Sequence, residues 1–372
     1  MTCYATSSAE RRYYEQEELV TAYCLLPTGF IVRRRWRQGI LPDDITSGVL
    51  LCYNEGVNSP NSTINRLAGL LLPFPTPFDA TGATDFPALR TNLMRWNNLG
   101  ISGYVALGST GERVHLRESE ARAVVIAARE LVPADKLYVV GVGQHSTRAT
   151  IAEARQAATD GADAVLVSVP HFYRAAMTQP ALAQHFRAVA EASPVPVLLY
   201  HLPQNTGIAL TPQSVGELSA HENIIGIKDS SGDILNLSEI ARLVTPQFIV
   251  LTGHGGALYA ALCTGARGAI LAVSCAVPEY VLRLMQTVHE GQHVKAVALQ
   301  QRLAPLANAV TVRYGIGGLK AAMEMRGYAG GGRVRAPLAP ASEEGRVEIG
   351  RLLEQVTEGS EGKRERHSDA GI

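Results

Sequence analysis

The stretch Ile224-Ile225-Gly226-Ile227-Lys228-Asp229-Ser230 places a lysine at the end of a short apolar run. A run of this kind is typical of a buried strand, and an ammonium ion is costly to remove from water. Burial therefore favours the neutral amine, which is a nucleophile toward ketones. For this stretch alone, the alternative is a lysine whose stem lies along the strand while its amine reaches solvent. Lys228 is the first candidate for a catalytic group.

Other residues that could do chemistry also follow apolar runs. They lie in the segments Gly108-Ser109-Thr110-Gly111-Glu112, Pro170-His171-Phe172-Tyr173 and Tyr200-His201-Leu202-Pro203-Gln204-Asn205-Thr206-Gly207. The glycines and hydroxyls of the first segment suit a bound carboxylate or phosphate, although alone they could form an ordinary tight turn. A lone tyrosine such as Tyr200 is more often a core residue. No third ligand accompanies His171 and His201, so we predict no metal site.

The elements that must position these residues alternate in type. Apolar runs of strand length without polar alternation recur at Leu67–Pro73, Ile101–Leu107, Leu137–Val142, Ala164–Val169, Val195–Leu202, Ile224–Lys228, Phe248–Thr252 and Ala269–Val273. Such runs indicate parallel strands covered on both faces. Helical spacing lies between them, as in Ser119–Leu131, Thr147–Thr159 and Ala181–Ala192. The pattern predicts an α/β fold, a (β/α)8 TIM barrel. An open doubly wound sheet is the alternative, but no GxGxxG follows the first strand.

In such a barrel, the active site is built at the carboxyl ends of the strands. Tyr200 and Lys228 end neighbouring predicted strands, which lie about 4.8 Å apart in a sheet. We therefore expect the two side chains to be close enough to exchange a proton.

The whole chain divides into four predicted regions. Residues 1–66 form an N-terminal extension, unassigned in function and expected to be at least partly disordered, whose basic cluster Arg33–Arg37 is interpreted as a solvated charge run. Residues 67–275 form the catalytic barrel, residues 276–356 an additional C-terminal helical region, and residues 357–372 a disordered polar tail. The predicted C-terminal helices are Val277–His289, His293–Ala309, Gly317–Arg326 and one from the Pro337–Pro340 turn to about Val356.

Composition narrows the class of protein. Lysine plus arginine equals aspartate plus glutamate at 34 each, which argues against a nucleic-acid partner. The odd number of cysteines, five, and the lack of a CxxC pair predict reduced thiols in a cytoplasmic protein. No apolar run is long enough to cross a membrane, and no secretory signal is evident. Early glutamates argue against an organellar transit peptide, although import remains an alternative.

Three motifs carry a resemblance to a known family. Gly-Ser-Thr-Gly-Glu, Tyr-x-x-Pro-x-x-Thr-Gly and Gly-Ile-Lys-Asp-Ser, in this order and at barrel spacing, strongly resemble the dihydrodipicolinate synthase/N-acetylneuraminate lyase family. Its members are class I aldolases on a TIM barrel with extra C-terminal helices. The resemblance covers about Leu67 to Val356.

The resemblance implies roles for matching residues. Lys228 would form a Schiff base with a pyruvate-like ketone, and Tyr200 would shuttle protons. Ser109 and Thr110 would hold the α-carboxylate, and Tyr173 would complete the proton relay. The resemblance also implies a small 2-keto acid substrate, no cofactor, no metal and a homotetramer.

The activity within the family depends on the loop after Tyr200. Dihydrodipicolinate synthases carry an arginine where this chain has Asn205. This loop, the His171-Phe172-Tyr173-Arg174 loop, the Ser230 position and the tail Arg313–Lys320 most resemble 4-hydroxy-2-oxoglutarate aldolases, which produce pyruvate and glyoxylate. The resemblance implies that Asn205 and Ser230 contact the substrate. Alternatives are a dihydrodipicolinate synthase or an aldolase for 2-keto-3-deoxy sugar acids. From other classes, a phosphate-binding barrel isomerase using the Gly253–Gly256 loop and a non-catalytic keto-acid sensor remain candidates.

Overall fold

The computed structural model describes residues 63–357 and, for the backbone alone, residues 19–25 and 31–37. The chain divides into two units, Met1–Val57 and Asn58–Ile372. In the first unit, strands β1 (Leu19–Leu25) and β2 (Ile31–Arg37) pair antiparallel. The rest of the predicted N-terminal extension up to residue 62 lies outside the described residues, as does the predicted tail beyond Thr357.

Eight parallel strands close into a barrel in the second unit, as predicted. They are β3 (Leu70–Leu72), β4 (Gly103–Ala106), β5 (Leu137–Val142), β6 (Ala164–Ser168), β7 (Val197–His201), β8 (Ile224–Asp229), β9 (Ile249–Thr252) and β10 (Gly268–Ile270). Neighbours in the barrel follow chain order, and β10 pairs with β3 to close it. The first predicted strand is shorter than expected because Leu67 ends a helix and Pro73 has no N–H to donate to a ladder.

Helices cover the barrel and extend beyond it. They are α1 (Thr63–Leu67), α2 (Phe86–Asn97), α3 (Glu118–Arg129), α4 (Thr147–Thr159), α5 (Gln179–Ala192), α6 (Pro203–Thr206), α7 (Pro212–Leu218), α8 (Ile234–Leu243), α9 (Leu258–Cys263), α10 (Pro278–His289), α11 (His293–Asn308), α12 (Gly315–Met325) and α13 (Glu343–Thr357). A π-helical turn, Ala309–Arg313, joins α11 to α12. The last four helices, α10 to α13, correspond to the predicted additional C-terminal helices. Helix α2 was not singled out in the sequence, although Asp85 caps it by accepting from the Ala88 N–H.

The apolar core has two layers. Strand side chains that point inward form a cluster inside the barrel, which includes Val105, Leu166, Leu198 and Leu251. Strand side chains that point outward pack against the helices in a larger outer cluster. Side chains therefore belong to one layer or the other according to their position along each strand.

Candidate active site

Lys228 lies inside the barrel near the carboxyl end of β8. Its register neighbours, Tyr200 on β7 and Leu251 on β9, both belong to the inner apolar cluster. The lysine is 4% exposed. Its Nζ donates to the Tyr200 hydroxyl at 3.5 Å and lies 4.6 Å from the centre of that ring. The amine therefore has a phenol as its nearest polar neighbour on the adjacent strand.

A shift in strand register sets this placement. Val197 pairs with Ile224, but Leu198 pairs with Gly226, so one step along β7 corresponds to two steps along β8. An extra residue in one strand is a β-bulge, which changes the direction of the side chains that follow it. With an unbroken register, Tyr200 would pair with Ile227. The bulge instead puts Lys228 on the inner face beside Tyr200.

Ser109 extends the contact between Lys228 and Tyr200 into a line of three polar groups. Its Oγ lies 3.0 Å from the Tyr200 hydroxyl, and either group can be the donor. Tyr200 itself is buried. A proton can therefore pass from the amine to the phenol and on to a hydroxyl at the more open end of the site.

The loop that carries Ser109 is held in an uncommon backbone conformation. Leu107 and Glu112 have positive φ angles of 55° and 54°, although neither is a glycine. Ser109–Gly111 form a short 3₁₀ turn between them, and Thr110 is buried. Non-glycine residues in this region are strained and persist where surrounding contacts hold them.

Those contacts include an ion pair that motif reasoning missed. The Glu112 side chain is fully buried, and its Oε1 lies 2.6 Å from Lys320 Nζ on α12. The ammonium also donates to the carbonyls of Thr76 and Arg333, each at 2.7 Å, while Arg335 donates its N–H to Glu112 Oε2. Burial lowers the pKa of Lys320, although Glu112 opposes that shift. The C-terminal helices are thereby tied to the Ser109 loop.

A second buried pair lies one residue beyond the Lys228 position, on the opposite face of the sheet. His201 and Asp229 are register partners, with Nδ1 and Oδ1 3.2 Å apart. Burial acts to raise the pKa of Asp229, but the adjacent His201 imidazole and the hydrogen bond from the Ser231 N–H outweigh it and hold that pKa below its usual range. The pair belongs to the layer between strands and helices, so His201 supports the strand ends.

Gly253, after β9, is required by the position of the lysine stem. A Cβ at this residue would lie 2.0 Å from Ser230 Oγ and 2.8 Å from Lys228 Cε. Both distances are far below van der Waals contact. Ser230 is itself 8% exposed. The predicted substrate contact Ser230 and the stem of Lys228 therefore share one space that glycine leaves open.

Two predicted site residues lie away from this cluster. Tyr173 is 70% exposed, and its ring packs edge-on against Phe172. Among the described residues its hydroxyl makes no hydrogen bond to Tyr200 or Ser109. Asn205 is also exposed, in the helical turn α6. The chain brings Lys228, Tyr200, Ser109 and Ser230 together, whereas Tyr173 and Asn205 stand outside the line of three polar groups.

In the described part of the chain, no group of three or more histidine, cysteine, aspartate or glutamate side chains is arranged to hold a metal ion. No helix described there is both long and apolar enough to cross a bilayer.

The barrel and its C-terminal helices are similar to known proteins along their whole length. Residues 66–356 match the model of the dihydrodipicolinate synthetase family. A 4-hydroxy-tetrahydrodipicolinate synthase from Methanothrix thermoacetophila is 34% identical over 284 residues, covering 76% of this chain and 95% of the relative.

Solved structures agree. A dihydrodipicolinate synthase from Bacillus anthracis superposes with a TM-score of 0.74 at 29% identity, covering 77% of this chain and 98% of that one. An E. coli K12 prophage protein of the same family, solved in complex with pyruvate, gives 0.73 at 29% identity over 78% and 98% of the two chains. The chain therefore belongs to the dihydrodipicolinate synthetase family, whose enzymes are pyruvate-dependent carbon–carbon lyases and synthases that bind the keto acid as a Schiff base on a lysine and need no cofactor.

Proposed function

We propose that the chain is a class I aldolase that cleaves 4-hydroxy-2-oxoglutarate to pyruvate and glyoxylate, with Lys228 as the Schiff-base lysine. The supporting observation is the line from Lys228 Nζ through the Tyr200 hydroxyl to Ser109 Oγ, with steps of 3.5 Å and 3.0 Å, at the catalytic end of the barrel. A nucleophilic amine needs a neighbour that can accept and return protons. Tyr200 is in that position.

Imine formation is the first step of the proposed reaction. Lys228 Nζ attacks the C2 carbonyl of the keto acid, and water leaves as the C=N bond forms. Ser109 and Thr110 hold the adjacent carboxylate with hydroxyl and backbone donors. Because an iminium ion attracts electrons, the bond between C3 and C4 is weakened.

Cleavage then depends on a proton transfer at C4. Tyr200 accepts the proton of the C4 hydroxyl while its own phenolic proton passes to Ser109 and on to solvent, the C3–C4 bond breaks, and the electron pair of that bond moves into an enamine. Glyoxylate leaves, the enamine gains a proton at C3, and hydrolysis of the imine releases pyruvate. Transfer by a positioned phenol contributes typically about 10²–10⁴-fold to such a step.

The choice of substrate is tested by a pyruvate-release assay. The purified chain is supplied separately with 4-hydroxy-2-oxoglutarate, 2-keto-3-deoxygluconate and N-acetylneuraminate, and we expect the highest kcat/KM for the first. Borohydride reduction in the presence of pyruvate should attach the keto acid to the peptide that contains Lys228. An adduct on that peptide without cleavage of 4-hydroxy-2-oxoglutarate would support Lys228 as the Schiff-base lysine and contradict the proposed substrate.

A second candidate is 4-hydroxy-tetrahydrodipicolinate synthase, the name carried by curated relatives that are 29–35% identical to this chain. Asn205 counts against it, because the synthases have an arginine there to hold a substrate carboxylate. Production of 4-hydroxy-tetrahydrodipicolinate at a higher kcat/KM than cleavage of 4-hydroxy-2-oxoglutarate would establish this candidate instead.

We further propose that the protein assembles as a homotetramer. Phe172 and Tyr173, 71% and 70% exposed, form an adjacent aromatic pair of the kind enriched at protein interfaces. Assembly would cover this pair, and Tyr173 enters the proposed proton relay only in that state. Light scattering of the purified chain measures the mass directly, and a monomer that cleaves substrate at full rate would remove Tyr173 from the mechanism.

A further inference from the structure

An arginine from another loop lies against the loop that follows β7. Arg174 begins the 3₁₀ turn Arg174–Ala176 after β6. A Cβ placed on Gly207 would lie 2.8 Å from Arg174 Nη1 and 3.0 Å from its Cδ. The arginine side chain therefore runs directly over the backbone of Gly207, two residues beyond Asn205.

Gly207 makes this approach possible in two ways. Its φ of 68° lies in the left-handed region, which ends helix α6 and favours glycine. Its missing Cβ also leaves the space that the guanidinium occupies. Any other residue would be strained and would displace Arg174, so the loop is shaped to accept this cation.

The Arg174 guanidinium has no protein partner within residues 63–357. It makes no hydrogen bond or ion pair with any described residue. Other arginines on loops and linkers near the Ser109 loop are engaged, since Arg113 pairs with Glu153 and Arg335 with Glu120. An exposed guanidinium with five free N–H donors is suited to bind a carboxylate in two-point contact.

The proposed substrate has a group that needs such a donor. 4-Hydroxy-2-oxoglutarate carries a carboxylate at each end, and Ser109 and Thr110 account for the one beside the ketone. Asn205 stands where the synthases carry an arginine, so the β7 loop itself supplies no cation. The cation that contacts this loop is Arg174 of the β6 loop, which lies against Gly207, two residues beyond Asn205.

We propose that Arg174 binds the distal carboxylate of a 2-keto dicarboxylic acid and makes the enzyme selective for dicarboxylates. This inference depends on the proposed function and adds to it the residue that distinguishes substrates. It also predicts that Arg174 contacts only one of the two cleavage products. After cleavage, the distal carboxylate leaves with glyoxylate, and pyruvate retains only the carboxylate held by Ser109 and Thr110.

The test compares two substrates that differ only at the distal end. 4-Hydroxy-2-oxoglutarate carries a carboxylate there, and 4-hydroxy-2-oxopentanoate a methyl group. In Arg174→Met we expect the ratio of their kcat/KM values to fall by about 10–100-fold, as for loss of a hydrogen-bonded charged group. Arg174→Lys should recover part of the ratio, because it keeps the charge but loses the planar fork. Arg187→Met, which removes an exposed arginine on α5 that pairs with Glu217, should leave the ratio unchanged.

The condensation direction gives an independent readout. In Arg174→Met the KM for glyoxylate should rise by a similar factor, while borohydride trapping of pyruvate on Lys228 persists. An unchanged substrate ratio, or equal losses on both substrates, would overturn the role of Arg174 and leave the aldolase function standing. Failure of the wild-type chain to cleave 4-hydroxy-2-oxoglutarate would overturn the proposed function and, with it, this inference.

Discussion

Lys228 and Lys320 are almost equally buried, at 4% and 5% exposure, yet their surroundings differ completely. Lys320 has a carboxylate at 2.6 Å and donates hydrogen bonds to two backbone carbonyls at 2.7 Å, so three oxygen atoms surround its ammonium. Lys228 has a phenol at 3.5 Å. An ammonium fixed by an anion is a structural group. An amine whose hydrogen-bond partner is a neutral hydroxyl remains available to a substrate.

The largest effect is expected from Lys228→Arg. A guanidinium cannot form an imine, so cleavage should fall by at least about 10⁴-fold while the fold is retained. Pyruvate release and borohydride trapping measure the loss, and the melting temperature checks the fold. Turnover near the wild-type rate, or an adduct on Lys320, would reverse the roles of the two lysines.

Lys320→Met should act on stability instead. Removing one partner of a buried ion pair leaves Glu112 uncompensated and typically costs about 3–5 kcal/mol. Denaturant unfolding measures this loss, and pyruvate trapping on Lys228 should persist in the folded protein. The double variant Glu112→Gln/Lys320→Met should be more stable than Lys320→Met, because glutamine removes the charge and still accepts from the Arg335 N–H. A double variant no more stable than Lys320→Met would contradict the ion-pair explanation.

Gly253→Ala probes the space that the stem of Lys228 shares with Ser230. Its methyl group would meet the lysine stem and Ser230, and a displacement of about 1 Å at a reacting group can cost about 10²-fold in rate. We expect kcat/KM for cleavage to fall by that order. Gly100→Ala is the matched control, since nothing lies within 4 Å of a Cβ there. Wild-type activity in Gly253→Ala would show that the lysine stem has room to move.

Asp229→Asn should give the smallest effect, on pH dependence. The folded-state pKa of Asp229 is lowered from 3.8, so its carboxylate adds stability above about pH 4, and that stability is lost as the pH falls through the lower folded value. We expect the variant to be less stable by about 1–2 kcal/mol at pH 7, with the difference shrinking below about pH 4. Urea unfolding at pH 7 and pH 3 measures both.

The same variant also sharpens the comparison between the lysines. If the pH profile of pyruvate trapping moved in Asp229→Asn, Lys228 would depend on an anion after all. The distinction between a partnered and an available lysine would then fail.

The strand ends and their order could be predicted from the sequence because continuous apolar runs report burial directly. The runs at β5 and β8 were located to within one residue, and Tyr200 and Lys228 were expected on adjacent strands. Burial on both faces, however, erases the alternation that would reveal which face a residue occupies. The bulge at Ile225 was therefore invisible, although the placement of Lys228 depends on it.

Contacts between distant segments were equally inaccessible. Glu112 was recognised as part of a motif and Lys320 as part of a tail, but no local pattern joins them. Gly253 looked like an anion-binding glycine, whereas the structure uses its missing side chain. The contact between Arg174 and Gly207 likewise depends on how two loops meet, which no local pattern records.

Because of the bulge in β8, the direction in which the proposed nucleophile points depends on the number of residues that precede it in the strand. Between Ile224 and Lys228 the number of residues, and not their chemistry, decides whether the amine faces the barrel interior or the helical layer. A mutational scan of this strand should therefore tolerate other apolar side chains at the buried Ile225 and reject its deletion. A comparison of residue types alone would miss this loss. Deleting one residue between Ile224 and Lys228 leaves the lysine in the sequence but turns its side chain away from Tyr200.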